Sequence, residues 1–343
     1  MSNHTSKSFP YRSLVLYSAY SLEGSIIGLG NLLIFVSIIR YRALRGRNDC
    51  LVIAALAFAD FLNLSGYFLA GSQRVWLLLS DRSLSNWRPK DCMLLPQNVL
   101  WCFADPLAAF MLIVVSVDRL LCVSFPLQYI GWPKRLSISL ITLAYSSTII
   151  IGAYISAVIV ISDPNGPPNK FCFLTSTVKS VLAPIYLTYY QNAASTFALI
   201  SIAVFVMVWC VFKYNQSKVS GLSVPRQKEV LLGQQRRMTV TLGLSCLCTF
   251  LLYIAPLKSG YWLFSLGLRE LATACWILAN VNPFCNLLLY PLRHRDIKTA
   301  VRSLLVCKQM PEDSKMWHVT PAPAERELKR TQQNDGLVLA EIE

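Results

Sequence analysis

Three aspartates and one arginine lie in stretches where hydrocarbon would otherwise surround them. Asp60, Asp105 and Asp118 each sit within or at the end of a long apolar run, and Arg119 directly follows Asp118. An ionisable group in such a place is expensive, so it marks a site for a ligand, an ion, a proton or a paired partner. An arginine next to an acid adds a second possibility. It keeps its charge and carries five donors on a planar fork, so it can rest on the acid and later turn to other acceptors. The tandem Asp118-Arg119-Leu120 is followed closely by Pro126-Leu127-Gln128-Tyr129. Catalytic constellations do not emerge. The three histidines, His4, His294 and His318, stand at no metal spacing. Cys246-Leu247-Cys248 falls in the middle of an apolar run, there is no glycine-rich phosphate loop, and no Ser-His-Asp set has a plausible setting. The expectation is a protein that binds and transmits or transports, not an enzyme.

The elements that must hold these groups follow from hydropathy. Hydrophobic residues make up 54% of the chain and charged residues 15%; mean hydropathy is +0.46. Seven apolar runs of bilayer-spanning length occupy approximately residues 14–39, 50–71, 94–117, 136–161, 181–211, 238–264 and 271–292. A backbone crossing lipid must satisfy its own hydrogen bonds, so each run reads as a helix. The expected fold class is an all-α membrane protein: a seven-transmembrane helix bundle with a short amphipathic helix after the seventh span. Arg295, Lys298 and Arg302 interleave there with Ile297, Val301, Leu304 and Leu305. Residues 1–13 form an N-terminal segment, 14–307 the bundle with its eighth helix, and 308–343 a polar tail of mixed charge that reads as disordered.

The net charge of +14 would suggest nucleic acid on a soluble protein. Its placement points to a bilayer. The connections bearing Arg40 to Arg47, Lys134 and Arg135, Lys213 to Arg237, and Arg293 to Lys308, with Arg119, hold eighteen Lys and Arg against ten on the opposite side. The richer side is expected in the cytoplasm, which puts the N-terminus outside the cell and the C-terminus inside, in the plasma membrane. No short apolar core with a cleavage site precedes the first span, which is expected to insert as a signal anchor. Asn3-His4-Thr5 is then either a glycosylation acceptor on the outer side or a chance match. Eight of the eleven cysteines lie in or beside spans and read as small apolar packers. Cys92 and Cys172 fall on the outer side, where oxidation is permitted, and are the expected disulfide. It closes a loop worth roughly 4–5 kcal/mol in a soluble chain, an upper bound where helices persist after the bundle opens.

Several motifs now combine. Gly30-Asn31 lies in the first span, Leu56-Ala57-Phe58-Ala59-Asp60 in the second, Asp118-Arg119 with Pro126-Leu127-Gln128-Tyr129 at the end of the third, Phe250 and Pro256 in the sixth, and Asn282-Pro283, Asn286 and Tyr290 in the seventh. The set resembles the rhodopsin-like (class A) G-protein-coupled receptors, and its eroded pattern is similar to nematode-type serpentine chemoreceptors. The resemblance covers residues 14–307. It implies an extracellular small-molecule or peptide ligand, a heterotrimeric G protein as partner, and a switch in which Arg119 leaves Asp118 as the sixth span swings about Pro256. Arg236 and Arg237 would contact the G protein or anionic lipid of the bilayer. Asn31, Asp60, Asn282 and Asn286 would form either a sodium-binding cluster or a polar clamp without an ion.

Departures from the pattern are specific. Leu120 replaces the usual tyrosine, and Ala108 a serine of the sodium cluster. Tyr145 stands where the fourth span has tryptophan, Ile254 where the sixth has its aromatic switch, and Arg236 where some members carry an acid that locks the arginine. In the seventh span the family's Asn-Pro-x-x-Tyr aligns either on Asn282-Pro283 or on Asn286 and Tyr290, with Leu287 replacing proline. The second alignment is preferred because residues 290–298 then match the exit into the eighth helix.

For ligand contact the leading candidate is Asp105, either pairing with a cationic ligand or satisfied by neighbouring helices. Trp101, Tyr189, Tyr190, Tyr253, Lys258 and Trp276 are further candidates, with Glu23 weaker; most of the aromatics are expected to pack or to mark the membrane interface. Cys307 is a palmitoylation candidate or a plain thiol. The rivals are a small secondary transporter using Asp60 and Asp105, disfavoured by the lack of an internal repeat, and a receptor-like protein that binds without coupling.

Overall fold

The computed structural model describes residues 11–80, 87–125, 128–129, 132–162, 171–174, 192, 194–220, 240, 244 and 247–308. Helix α1 spans Tyr11–Arg40, α2 Asn48–Leu79, α3 Pro96–Ser124, α4 Arg135–Ser162 and α5 Ala194–Ser220. A π-helical turn, Thr249–Ile254, leads into α6, Ala255–Ser265. The seventh span is two helices, α7 (Arg269–Ala279) and α8 (Val281–Arg293), and α9 (Arg295–Leu305) follows. Six helical stretches among the described residues are long and apolar enough to cross a membrane. The described part of the sixth span consists of residues 240, 244, 247 and 248, the π turn and α6. The disulfide pairs Cys92 with Cys172, as expected, and marks one end of the bundle; Arg119 marks the other.

Helices α1 and α2 pack most closely because small residues let their backbones meet. A Cβ on Gly24 would lie 2.5 Å from the Phe68 backbone nitrogen, and one on Gly71 would lie 2.6 Å from that of Ser21. The Ser21 and Ser72 hydroxyls share a hydrogen bond of 2.7 Å between the same two helices. Helices α3 and α5 are joined by a bond of 2.7 Å between the Ser116 and Ser201 hydroxyls, and Ser201 Oγ also reaches the Leu112 carbonyl. Such hydroxyl pairs supply the directional adhesion that apolar contact cannot provide in lipid.

Two cores result. The disulfide end is aromatic, built from Tyr17, Tyr20, Tyr67, Trp101, Tyr261 and Trp276. The Arg119 end is aliphatic, with Ile34, Ile38, Leu56, Leu107, Met111 and Ile297 around Tyr290. Helix α9 buries Ile297 and Ala300 and leaves Arg295 and Lys298 exposed, the amphipathic arrangement expected of it.

Two features of the helices matter for the site, and one is a boundary that differs from expectation. Helix α2 runs on to Leu79, eight residues past the apolar run, because Gln73 and Arg74 end the run without ending the helix. Arg74 points into the bundle and is 2% exposed, while Trp76 and Leu79 face outward. Helix α3 carries Pro106 in its interior, next to Asp105. Proline has no N–H for the carbonyl one turn back, at Cys102. Helix α4 approaches closely there, since a Cβ on Gly152 would lie 3.1 Å from that oxygen.

Candidate functional site

At the Arg119 end, Asp118 and Arg119 are both buried, and their side chains pair at 3.4 Å. The Tyr129 hydroxyl donates to Asp118 Oδ1 at 2.7 Å. Burial, reinforced by the Asp118 carboxylate and opposed by Arg119, holds that phenol protonated well above the ordinary tyrosine range. The tyrosine five residues past α3 therefore reaches back to the acid of the pair. Pro126 and Leu127, between them, lie outside the described residues, as do Arg236 and Arg237.

Beside this pair is a clamp that sequence reading missed. Arg47 grips Asp49 with two donors, Nε at 3.1 Å and Nη2 at 2.7 Å, and reaches Asp296 with Nη1 at 2.8 Å. The fork geometry of arginine fits this double grip. One side chain thus ties the connection before α2 to the first turn of α9. His294, at the joint between α8 and α9, is half-buried; burial pushes its imidazole down to about 4.

The middle of the bundle is polar. Asn31, Asp60, Asn63, Asn282 and Asn286 are all buried. Asn286 is hydrogen-bonded to Asp60, Thr249 donates to Asn282 Oδ1 at 3.2 Å, and Asn31 Nδ2 donates to the Ile27 carbonyl. Asn31 Oδ1, Asp60 Oδ2 and Asn63 Oδ1 have no hydrogen-bond partner among the described residues. Oxygen-only acceptors of this kind suit a hard cation or water. Asn63 was not anticipated; its place one turn after Asp60 was the available signal. The seventh span breaks at Asn280, three residues before Pro283, and Asn280 donates to Glu23 Oε2 at 3.3 Å. Asn286 meets Asp60, and Tyr290 lies in the aliphatic core.

Around Pro256 the expectation needs amending. The π turn widens the helix just before the proline, so Tyr253 and Ile254 are buried while Phe250 is 44% exposed on the outside of the bundle. An inserted residue of this kind rotates the register of what precedes it. Tyr145 donates to the Ala55 carbonyl at 2.7 Å and stacks on Phe58, tying α4 to α2 where the tryptophan was expected.

The disulfide end holds a small cavity of about 60 Å³. Tyr20, Tyr67, Arg74, Trp101 and Asp105 line it from α1, α2 and α3; Phe173, Leu174, Leu257, Tyr261 and Trp276 complete it. Of the expected ligand residues, the structure brings together Trp101, Asp105 and Trp276. Tyr253 is not in the wall, but its hydroxyl donates to Asp105 Oδ1 at 3.4 Å. Lys258 is not brought in: it is bonded to Asn192 away from the cavity. Tyr189 and Tyr190, like Asn3, lie outside the described residues. Cys307 is exposed just after α9. Arg74 is the residue that sequence reading passed over; there it is one of the ten Lys and Arg on the less basic side, a cation beyond the end of the second apolar run.

A family model described as "Serpentine type 7TM GPCR chemoreceptor Srsx" matches residues 25–256. The chain is also similar to "Olfactory receptor-like protein I9" of Rattus norvegicus, 23% identical over 227 residues that cover 63% of this chain and 68% of that protein.

Proposed function

We propose a function on one premise: this multi-pass membrane protein belongs to the Srsx family of serpentine-type seven-transmembrane chemoreceptors. In our reading it receives a small chemical ligand at the disulfide end, outside the cell, and activates a heterotrimeric G protein at the Arg119 end, in the cytoplasm. The carrying observation is the buried Asp118–Arg119 pair, held by Tyr129, at the end of the bundle opposite the cavity. Arg119 is charged in every state and would otherwise be an uncompensated ion; at rest Asp118 compensates it. Opening of the bundle would give the guanidinium other acceptors, namely carbonyls of the partner.

A ligand shifts this equilibrium only by its differential affinity for the closed and open forms. The π turn before Pro256 supplies a flexing point, because a wide turn and a missing hydrogen bond leave the helix less tightly wound. Asn31, Asp60 and Asn63 present oxygens that fit a sodium ion, whose chemistry there would be to hold Asp60 ionised. A receptor that binds without coupling is the second reading, favoured by the aliphatic Ile254 beside the hinge.

The test is guanine-nucleotide exchange with the full-length protein in lipid nanodiscs and a panel of heterotrimers. Arg119→Ala is expected to leave surface expression intact and to cut exchange. Exchange by the wild type that survives unaltered in Arg119→Ala counts against the mechanism. Binding of ligand with no exchange by any heterotrimer selects the second reading.

A further inference from the structure

Arg74 is a permanent cation in the wall of the cavity. It is 2% exposed and forms no ion pair with an acid among the described residues. Aromatic rings surround it instead: the guanidinium carbon lies 4.3 Å from the Phe173 centroid, 5.4 Å from that of Tyr17, 5.8 Å from Tyr20 and 5.9 Å from Trp101. Rings stabilise a guanidinium through their faces. They do not accept hydrogen bonds at its edge, where the five N–H donors lie in one plane. The Tyr20 hydroxyl takes one of these. A buried ion without a counter-charge is costly, and a protein that merely needed packing here would be served by an apolar side chain.

We propose that the cavity binds a small aromatic monocarboxylic acid, its carboxylate on the fork of Arg74 and its ring among Trp101, Tyr261 and Trp276. Asp105 lies in the same wall, one turn along α3 from Trp101. Its oxygen already receives the Tyr253 hydroxyl. A second carboxylate on the ligand would meet Asp105, which is why the acid is singly charged. A simple cation is disfavoured for the converse reason, since Arg74 shares the space. The inference rests on the reading of this cavity as the receptor's ligand site.

The experiment uses the full-length protein in nanodiscs of neutral lipid. Phenylacetate and indole-3-acetate are the probes, with phenylacetamide, indole-3-acetamide and phenethylamine as matched neutral and cationic compounds. Thermal unfolding reports binding. The acids are expected to raise Tm saturably at concentrations where the amides and the amine do not. Arg74→Gln is expected to weaken the acids by roughly thirtyfold or more, as loss of a desolvated charge partner does. Arg74→Lys, which keeps the charge but not the fork, should fall between the two. Equal stabilisation by amides, preference for the amine, acid binding unchanged in Arg74→Gln, or no acid effect on the wild type overturns the proposal. The comparison of acid with amide on the wild type decides the matter even if Arg74→Gln does not fold. Nucleotide exchange measured in parallel separates the two ideas. Acid binding without exchange removes coupling and leaves the acid site; exchange driven by the amine alone removes the acid site and leaves the receptor.

Discussion

The Tyr129 hydroxyl donates to Asp118 at 2.7 Å, so the acid of the Asp118–Arg119 pair is held from outside the helix that carries it. Rotation of α3, or withdrawal of the segment bearing Tyr129, would loosen the acid and release Arg119. A hydrogen bond to an ionised group contributes roughly 1.5–3 kcal/mol, less where water can replace the donor. Tyr129→Phe is therefore expected to raise basal nucleotide exchange several-fold, with Asp118→Asn raising it further. A Tyr129→Phe protein with wild-type or lower basal exchange would show that the tyrosine does not restrain the pair.

The clamp centred on Arg47 joins parts of the chain far apart in sequence. Both of its ion pairs are partly exposed, so each alone is worth little. Shared use of one fork makes them interdependent. Arg47→Ala is expected to lower stability by about 1–2 kcal/mol, and the Arg47→Ala/Asp296→Asn double variant should lose less than the sum of the two single changes. Thermal unfolding in detergent measures the cycle; strict additivity would mean that Arg47 and Asp296 do not act together.

His294 provides a pH test at the same joint. Its folded imidazole titrates at about 4, displaced mainly by burial, with Asp49 opposing and Arg119 and Arg47 assisting. The unfolded side chain titrates near 6.5. Between these values the unfolded chain binds a proton that the folded one refuses, so stability rises with pH across that window. Acidification from neutrality to about pH 4.5 is expected to cost roughly 1–3 kcal/mol through this group, part of which His294→Gln should remove. Unfolding temperatures of the two proteins across the range give the answer; parallel curves would exclude the histidine as a source.

Much of this was legible in the residues. The spans, the disulfide and the Asp118–Arg119 pair follow from hydropathy, topology and charge, each of which is local. What escaped was not local. Arg74 looked like a cation beyond the second span because an apolar run stops at a charge, whereas a helix stops only when its backbone does; the rings that shelter Arg74 come from α1, α3 and residue 173. The Arg47 grip on Asp296 spans most of the chain and leaves no pattern in either segment. The π turn, likewise, has no compositional mark, yet it decides that Tyr253 faces inward and Phe250 outward.

Gly24 and Gly28 lie one turn apart on α1 and make opposite demands. A Cβ at Gly24 would sit 2.5 Å from the Phe68 nitrogen and 2.7 Å from the Leu64 carbonyl, both backbone atoms that cannot step aside. At Gly28 the nearest atom would be the Leu64 Cβ at 3.4 Å, an ordinary contact. Gly24→Ala must therefore push α1 from α2, at a cost of about 1–3 kcal/mol for overpacking. It should also disturb the cavity, because Tyr20 and Tyr17, one and two turns away, cage Arg74. Gly28→Ala keeps the spacing and should gain slightly, because alanine loses less backbone freedom in a helix. Unfolding temperature and surface expression of the two variants decide it: a lower Tm for Gly24→Ala beside an equal or higher Tm for Gly28→Ala is the expected outcome, and equal losses would mean that the two helices do not meet as closely as described.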